Sequence, residues 1–205
     1  MRKFSMYLLA MAMATGMAFA QTAPAQNSDA KKVEQKPAGP PPTPVGSMVE
    51  PSKLYERAVG QVEKEFVSLA EAMPADKYDF APTTGEFKGV RTFGEQVKHV
   101  AQANMAFYGA VLGQKASEEE MKASEALKGK DQIVAMLKKS FEMGHQAAAT
   151  VNAQNAFQTV QSPFGPGGVS RAGMMMTAVA HAFDHYGQMV EYGRMNGIVP
   201  PASQR

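Results

Sequence analysis

His181 and His185 stand one helical turn apart in Ala180-His181-Ala182-Phe183-Asp184-His185-Tyr186-Gly187-Gln188. Residues four apart on a helix share a face, with Cβ atoms roughly 5–6 Å apart. Two imidazoles held that way can grip one metal ion, and the helix fixes their relative orientation. A third histidine, His99, falls near the start of a separate amphipathic segment. Three neutral imidazoles from two helices, with coordination positions left open, form the protein half of a catalytic-type metal site. The competing reading is a set of core histidines satisfied by carbonyls or by one another. A second neutral imidazole buried nearby needs its own partner, which favours the metal.

The neighbouring residues narrow the chemistry. The His181/His185 spacing is that of the two histidines in the H-E-x-x-H zinc motif, but Ala182 stands where that motif has its glutamate. The general base of that protease class is therefore missing. Glu95, one turn before His99, is a fourth ligand, an acceptor for an imidazole N–H, or the capping-box partner of Thr92, with the cap preferred. Asp184 points about 100° away from His185 around the helix and is expected to be exposed or to orient a neighbour. His145 is the remaining histidine and the rival of His99. Glu95, Asp184 and Tyr186 are the available candidates for a base, and none stands out. Met174-Met175-Met176 cannot all face one point on a helix, so core packing is the better reading than a soft-metal site.

Long amphipathic segments must position these side chains. The first, Ser52 to Met73, follows Pro51 and carries Leu54, Ala58, Val62, Phe66 and Leu69 at helical spacing. A turn-rich stretch through Tyr78, Phe80, Pro82 and Gly85 leads to Thr92-Phe93-Gly94-Glu95, a capping-box signature, and a helix to about Leu112. A short acidic helical segment, Ser117 to Leu127, precedes a third long helix from about Asp131 to Val151, with Ile133, Leu137, Phe141 and Ala148 on one face. Pro163-Phe164-Gly165-Pro166-Gly167-Gly168 is a loop that no helix or central strand would tolerate. A fourth long helix runs from near Ser170 to Asn196-Gly197, a pair suited to a left-handed C-terminal cap. Ile198-Val199-Pro200-Pro201 follows as a tail able to pack back. With no convincing strand alternation, the pattern predicts an all-α four-helix bundle. Gln96, His99, Ala103, Ala106 and Ala110 share one stripe, and Met174, Ala178, His181, His185 and Tyr192 another. Both stripes are small or apolar around the histidines, so the imidazoles are expected to point inward.

The N-terminus predicts export. Arg2 and Lys3 form a basic start, Met6 to Met17 is largely apolar, and Ala18-Phe19-Ala20 offers small side chains for cleavage before Gln21. The apolar run is too short for a stable membrane span. Residues 1–20 are thus expected to be a signal peptide, 21–46 a Pro/Ala-rich disordered linker and 47–205 one domain, periplasmic or secreted. The chain has 21 Lys and Arg against 19 Asp and Glu. The leader holds two of the bases and no acid, so the mature protein is neutral. Neutrality and the lack of a basic cluster give no reason to expect nucleic acid. Cysteine is absent, which removes disulfides, thiolate ligands and thiol nucleophiles and leaves nitrogen and oxygen to bind any metal.

A histidine early in the second long helix, followed by a His-x-x-x-His pair running into Gly187-Gln188, resembles the DinB/YfiT-like family of metalloenzymes. Val190 to Pro201 is similar to the endings of that family, and Lys77 to Phe87 to its lead-in. The resemblance implies an up-down-down-up bundle holding a divalent metal, nickel or zinc, on His99, His181 and His185. It also implies an unidentified small-molecule substrate, and a homodimer is a compatible state. Relatives with assigned activity include transferases and isomerases that use low-molecular-weight thiols. Many members carry His-His-Arg-Gly-Gln where this chain has Asp184-His185-Tyr186-Gly187-Gln188, so a positive charge on the substrate side is missing here. That loss, and an export signal that removes the chain from cytosolic thiols, weigh against a thiol transferase. The expectation is an exported metal-dependent enzyme, hydrolase- or transferase-like. The alternative is a non-catalytic metal-binding or interaction module of the cell envelope; a metal-free bundle is the third reading.

Overall fold

The computed structural model describes residues 41–115 and 117–204. The expected signal peptide and most of the expected linker lie outside the described residues. The chain divides into two units, Met1–Pro44 and Val45–Arg205. The second carries every element described here: α1 (Pro51–Ala72), α2 (Phe93–Leu112), α3 (Glu118–Ala126), α4 (Lys130–Thr150) and α5 (Arg171–Met195). Two three-residue strands, β1 (Thr159–Gln161) and β2 (Gly168–Ser170), pair antiparallel between α4 and α5, with Val160 opposite Val169.

α1, α2, α4 and α5 form a four-helix bundle in which α1 and α2 each pack against both α4 and α5. Cross-helix contacts give the directions. Glu71 on α1 meets Lys138 near the start of α4, while Glu56 meets His145 near its end, so α1 and α4 are antiparallel. Asn104 bonds Ser140, and Gly144 abuts Tyr108, so α2 and α4 run in register and parallel. Gln96 reaches Gln188 and Arg171 reaches the Val111 carbonyl, so α2 and α5 are antiparallel. Tyr55 donates to the Ala172 carbonyl, and Leu69 lies against Gly193, so α1 and α5 are parallel. The order is therefore up-down-down-up.

The core is the shared apolar face. Val59, Val62, Phe66 and Leu69 from α1, Val97, Val100 and Tyr108 from α2, Leu137 and Phe141 from α4, and Met175 and Met189 from α5 are fully buried or nearly so. Leu54, expected on the inward stripe of α1, is exposed instead. It sits in the first turn, and the buried stripe begins at Val59. Met174 and Met175 are core and Met176 is exposed, as three consecutive helical residues require. The hairpin is the element the pattern missed. Three residues per strand give no readable alternation. At the C-terminus, Gly197 adopts φ +75°, the left-handed cap conformation. A short turn at Pro201–Ser203 then packs on α1. No described helix is long and apolar enough to cross a membrane.

Candidate metal centre

The segment before α2 sets the position of His99. The Tyr78 hydroxyl donates to the Ala70 carbonyl at 2.7 Å. The carbonyls of Tyr78 and Phe80 then accept from the N–H groups of Gly94 and Phe93, each at 2.8 Å. The predicted capping box is formed: Thr92 N–H donates to the Glu95 carboxylate at 2.8 Å, and Glu95 N–H to the Thr92 hydroxyl at 3.3 Å. Glu95 is thereby engaged as a cap. One turn later, His99 faces α5.

α5 starts on its own cap, with Gly173 N–H donating to the Ser170 hydroxyl at 3.1 Å. It delivers His181 and His185 to the same seam. The three imidazoles converge there, each offering a nitrogen within 4.8 Å of the others'. Ring centroids are 5.1 Å apart for His99 and His181, 4.8 Å for His99 and His185, and 4.5 Å for His181 and His185. His99 Nε2 and His181 Nε2 are 3.2 Å apart. Two nitrogens at zinc-bond length and a tetrahedral angle would stand about 3.3 Å apart. Nδ1 of His181 and of His185 are buried with no protein hydrogen-bond partner. A buried polar atom left unmatched costs about 1–3 kcal/mol. The donor set therefore fits a divalent ion by the spacing of its nitrogens.

The electrostatics agree. Burial, reinforced by the Arg91 guanidinium and the neighbouring histidines, lowers the His99 pKa to about 4. Burial likewise lowers His181 and His185, against an opposing pull from Asp184. All three are held as the neutral imidazoles that ligate metal.

Surrounding residues that spacing alone did not single out complete the seam. Gln96 donates to the Gln188 side-chain carbonyl at 3.0 Å, and Gln188 in turn donates to Asp184 at 3.0 Å. This ladder ties α2 to α5 one turn from His99 and one from His185. Asp184 is exposed and orients a neighbour, as expected of its position. Gln188 was legible only as part of the motif, four residues after Asp184 on the same face. On the other side, the Phe107 ring stands edge-on to His181 at 5.4 Å and against Phe164 of the hairpin tip at 5.2 Å. A cavity of about 1040 Å³ opens on the centre, bordered by Arg91, Gln96, His99, Gln188 and Tyr192. Tyr186, a candidate base by sequence, instead packs its ring 6.4 Å from Phe66 of α1 and is not among the residues bordering the cavity.

His145 does not join this centre. It lies between α4 and α1, with Nδ1 2.8 Å from Glu56 and Nε2 2.8 Å from Glu63. Hydrogen bonds to and charges on these two glutamates raise its pKa against the lowering effect of burial. With a carboxylate at each ring nitrogen, His145 has no nitrogen left to offer a metal ion.

Comparisons with known proteins follow the same lines. The chain resembles a DinB-like protein of Bacillus subtilis at 16% identity, covering 74% of this chain and 98% of that one, with a TM-score of 0.55. It resembles a DinB-like protein of Bacillus cereus at 15% identity, covering 73% and 95%, with a TM-score of 0.59. A conserved protein of Enterococcus faecalis aligns at 12% identity over 72% and 98%, with a TM-score of 0.57. Identities this low speak to the fold. No curated protein matches. The family model of the DinB superfamily matches residues 58–189, which span the bundle from the first buried turn of α1 through all three clustered histidines and Gln188. By that match and by its bundle, the chain belongs to the DinB superfamily.

Proposed function

We propose that this protein is an exported, metal-dependent enzyme of DinB type, in which His99, His181 and His185 hold one nickel or zinc ion. The observation that carries the reading is the convergence of three imidazole nitrogens within 4.8 Å beside an open cavity of about 1040 Å³. Three protein ligands and a solvent-facing side leave room for water and substrate, as catalytic sites do and closed structural sites do not. That openness favours catalysis over a purely structural metal in an envelope module.

A divalent ion held there would supply Lewis acidity and lower the pKa of a bound water. The chain's own groups do the rest. Gln96 and Gln188 offer amide donors and acceptors at the cavity wall, and the Gln96 side-chain oxygen is buried without a partner. Phe107 closes the opposite side of His181 with an apolar ring, which excludes water from that flank. Among the described residues, Glu95 borders the cavity but is engaged by the Thr92 N–H, and Glu125, Glu191 and the Tyr192 hydroxyl border it as well.

Elemental analysis of the purified mature protein, beside a His181→Ala/His185→Ala variant, tests the reading. About one nickel or zinc per chain, lost in a variant that keeps its helicity, supports it. No metal in either protein after reconstitution with both ions would remove the enzyme reading. Export is tested separately: a mature N-terminus at Gln21 in the periplasmic or secreted fraction supports it, and an intact Met1 terminus in the cytosol contradicts it.

A further inference from the structure

The cavity beside the histidines contains two cations, and only one of them is committed. The Lys98 ammonium donates to the carbonyls of Glu125 at 3.3 Å and Leu127 at 3.4 Å, closing the end of α3 onto α2. Arg91 is held by its backbone, because the Tyr192 hydroxyl donates to its carbonyl at 3.2 Å. Among the described residues its guanidinium makes no hydrogen bond and no ion pair. The carboxylates on the same wall leave it so: Glu95 is engaged by the Thr92 N–H, and neither Glu125 nor Glu191 pairs with it. Arg91 and His99 border the same cavity. A fixed backbone, a free guanidinium and a shared cavity describe a side chain placed to receive a ligand.

We propose that Arg91 is the anion anchor of this cavity: the substrate carries a carboxylate or related oxyanion, which the guanidinium holds while the reacting end faces His99, His181 and His185. The planar fork of five N–H donors matches an oxyanion bidentately, which the ammonium of Lys98 could not do even if it were free. Because Arg91 and His99 border the same cavity, one small molecule can touch both. Substrates are therefore acids small enough to seat in a cavity of about 1040 Å³. This inference rests on the metal-site reading above for the reacting end, and not for the anchor itself.

The test uses the mature protein, wild type and Arg91→Gln and Arg91→Lys, with acetate as the probe. In the cobalt-loaded protein, acetate is titrated by the chemical shifts of the residue 90–92 amides, and imidazole, a neutral ligand of the ion, by the visible cobalt absorption. Loss of one charge-assisted pair is expected to weaken acetate about tenfold in Arg91→Gln, with Arg91→Lys between, while imidazole affinity stays equal. Raising the salt concentration weakens acetate in the wild type more than in Arg91→Gln. In the cobalt-free protein, the side-chain Nε–H resonance of Arg91 shifts saturably with acetate. Equal acetate affinity in wild type and Arg91→Gln, or an Arg91 resonance that does not move, overturns the anchor. Failure of cobalt to bind overturns the metal-site reading and leaves the resonance titration to decide the anchor.

Discussion

Two regions of one bundle use histidine in opposite ways. In the α2/α5 seam, His99, His181 and His185 face one another across small and apolar positions, and burial drives them neutral. On the α1/α4 face, His145 sits between two carboxylates, one at each ring nitrogen, and its charged form is favoured. The residue type is the same, and only the partners differ. A histidine is therefore a candidate metal ligand or a carboxylate-held clamp according to what the facing helix presents.

The largest expected effect separates the two regions by metal. His181→Ala should lower zinc affinity at least about 100-fold, because removing a direct ligand costs more than removing the outer partners that cost 10–100-fold. His145→Ala should leave affinity within about twofold. Competition with a chromophoric chelator reads both, and a metal loss in His145→Ala would break the distinction.

Next in size is packing on the clamp side. A Cβ at Gly144 would lie 2.7 Å from Tyr108 Cε2 and 3.1 Å from Val59 Cγ1, and both side chains are fully buried. Gly144→Ala should destabilise by about 1–3 kcal/mol by overpacking, more than the helix propensity it gains. A Cβ at Gly60, by contrast, meets only His145 Cε1 at 3.7 Å, an ordinary contact. Gly60→Ala should be neutral or stabilising by up to about 1 kcal/mol. The thermal midpoint should fall in Gly144→Ala and stay level or rise in Gly60→Ala.

Removal of the α2 cap comes third. Thr92→Ala should cost about 1 kcal/mol, and it would loosen the turn just before His99. Metal affinity should fall with stability in this variant, whereas a Gly144→Ala protein that still folds should keep its affinity.

The smallest effect is a difference in pH slope. A raised folded pKa means His145 contributes stability that is present below the ordinary histidine value of 6.5 and is lost as pH rises through the folded value. Its partners are partly exposed, so the gain should stay under about 1 kcal/mol. In the metal-free centre the sign reverses. His99 titrates near 4 when folded and near 6.5 when unfolded, so acidification across that window destabilises. Denaturant unfolding at pH 5.5 and 8.5 should show the stability gap between wild type and His145→Gln narrowing toward alkaline pH.

The sequence revealed those parts that depend on local periodicity. Thr92 and Glu95 marked the start of α2, and the i, i+4 pair in α5 with its apolar stripe announced the inward face. The site also depends on registers between segments far apart in the chain, and these left no local trace. Gln96 meets Gln188 across 92 positions, and nothing in either segment states that alignment. Arg91 lies in an irregular loop, so its approach to the cavity follows from how Tyr78 and Phe80 pin that loop to α2. Leu54 was misjudged because periodicity does not say where a helix leaves the core.

The most direct measurement is a histidine-resolved NMR titration of the mature protein, following each imidazole with pH and with zinc. The chain has four histidines, so every one can be assigned by single substitution. Without metal, His145 is expected to titrate above 6.5 and the other three below it. One equivalent of zinc should then shift His99, His181 and His185 together and leave His145 in place. Zinc that moves His145, or that leaves the three clustered histidines titrating as free imidazoles, would contradict the three-histidine centre.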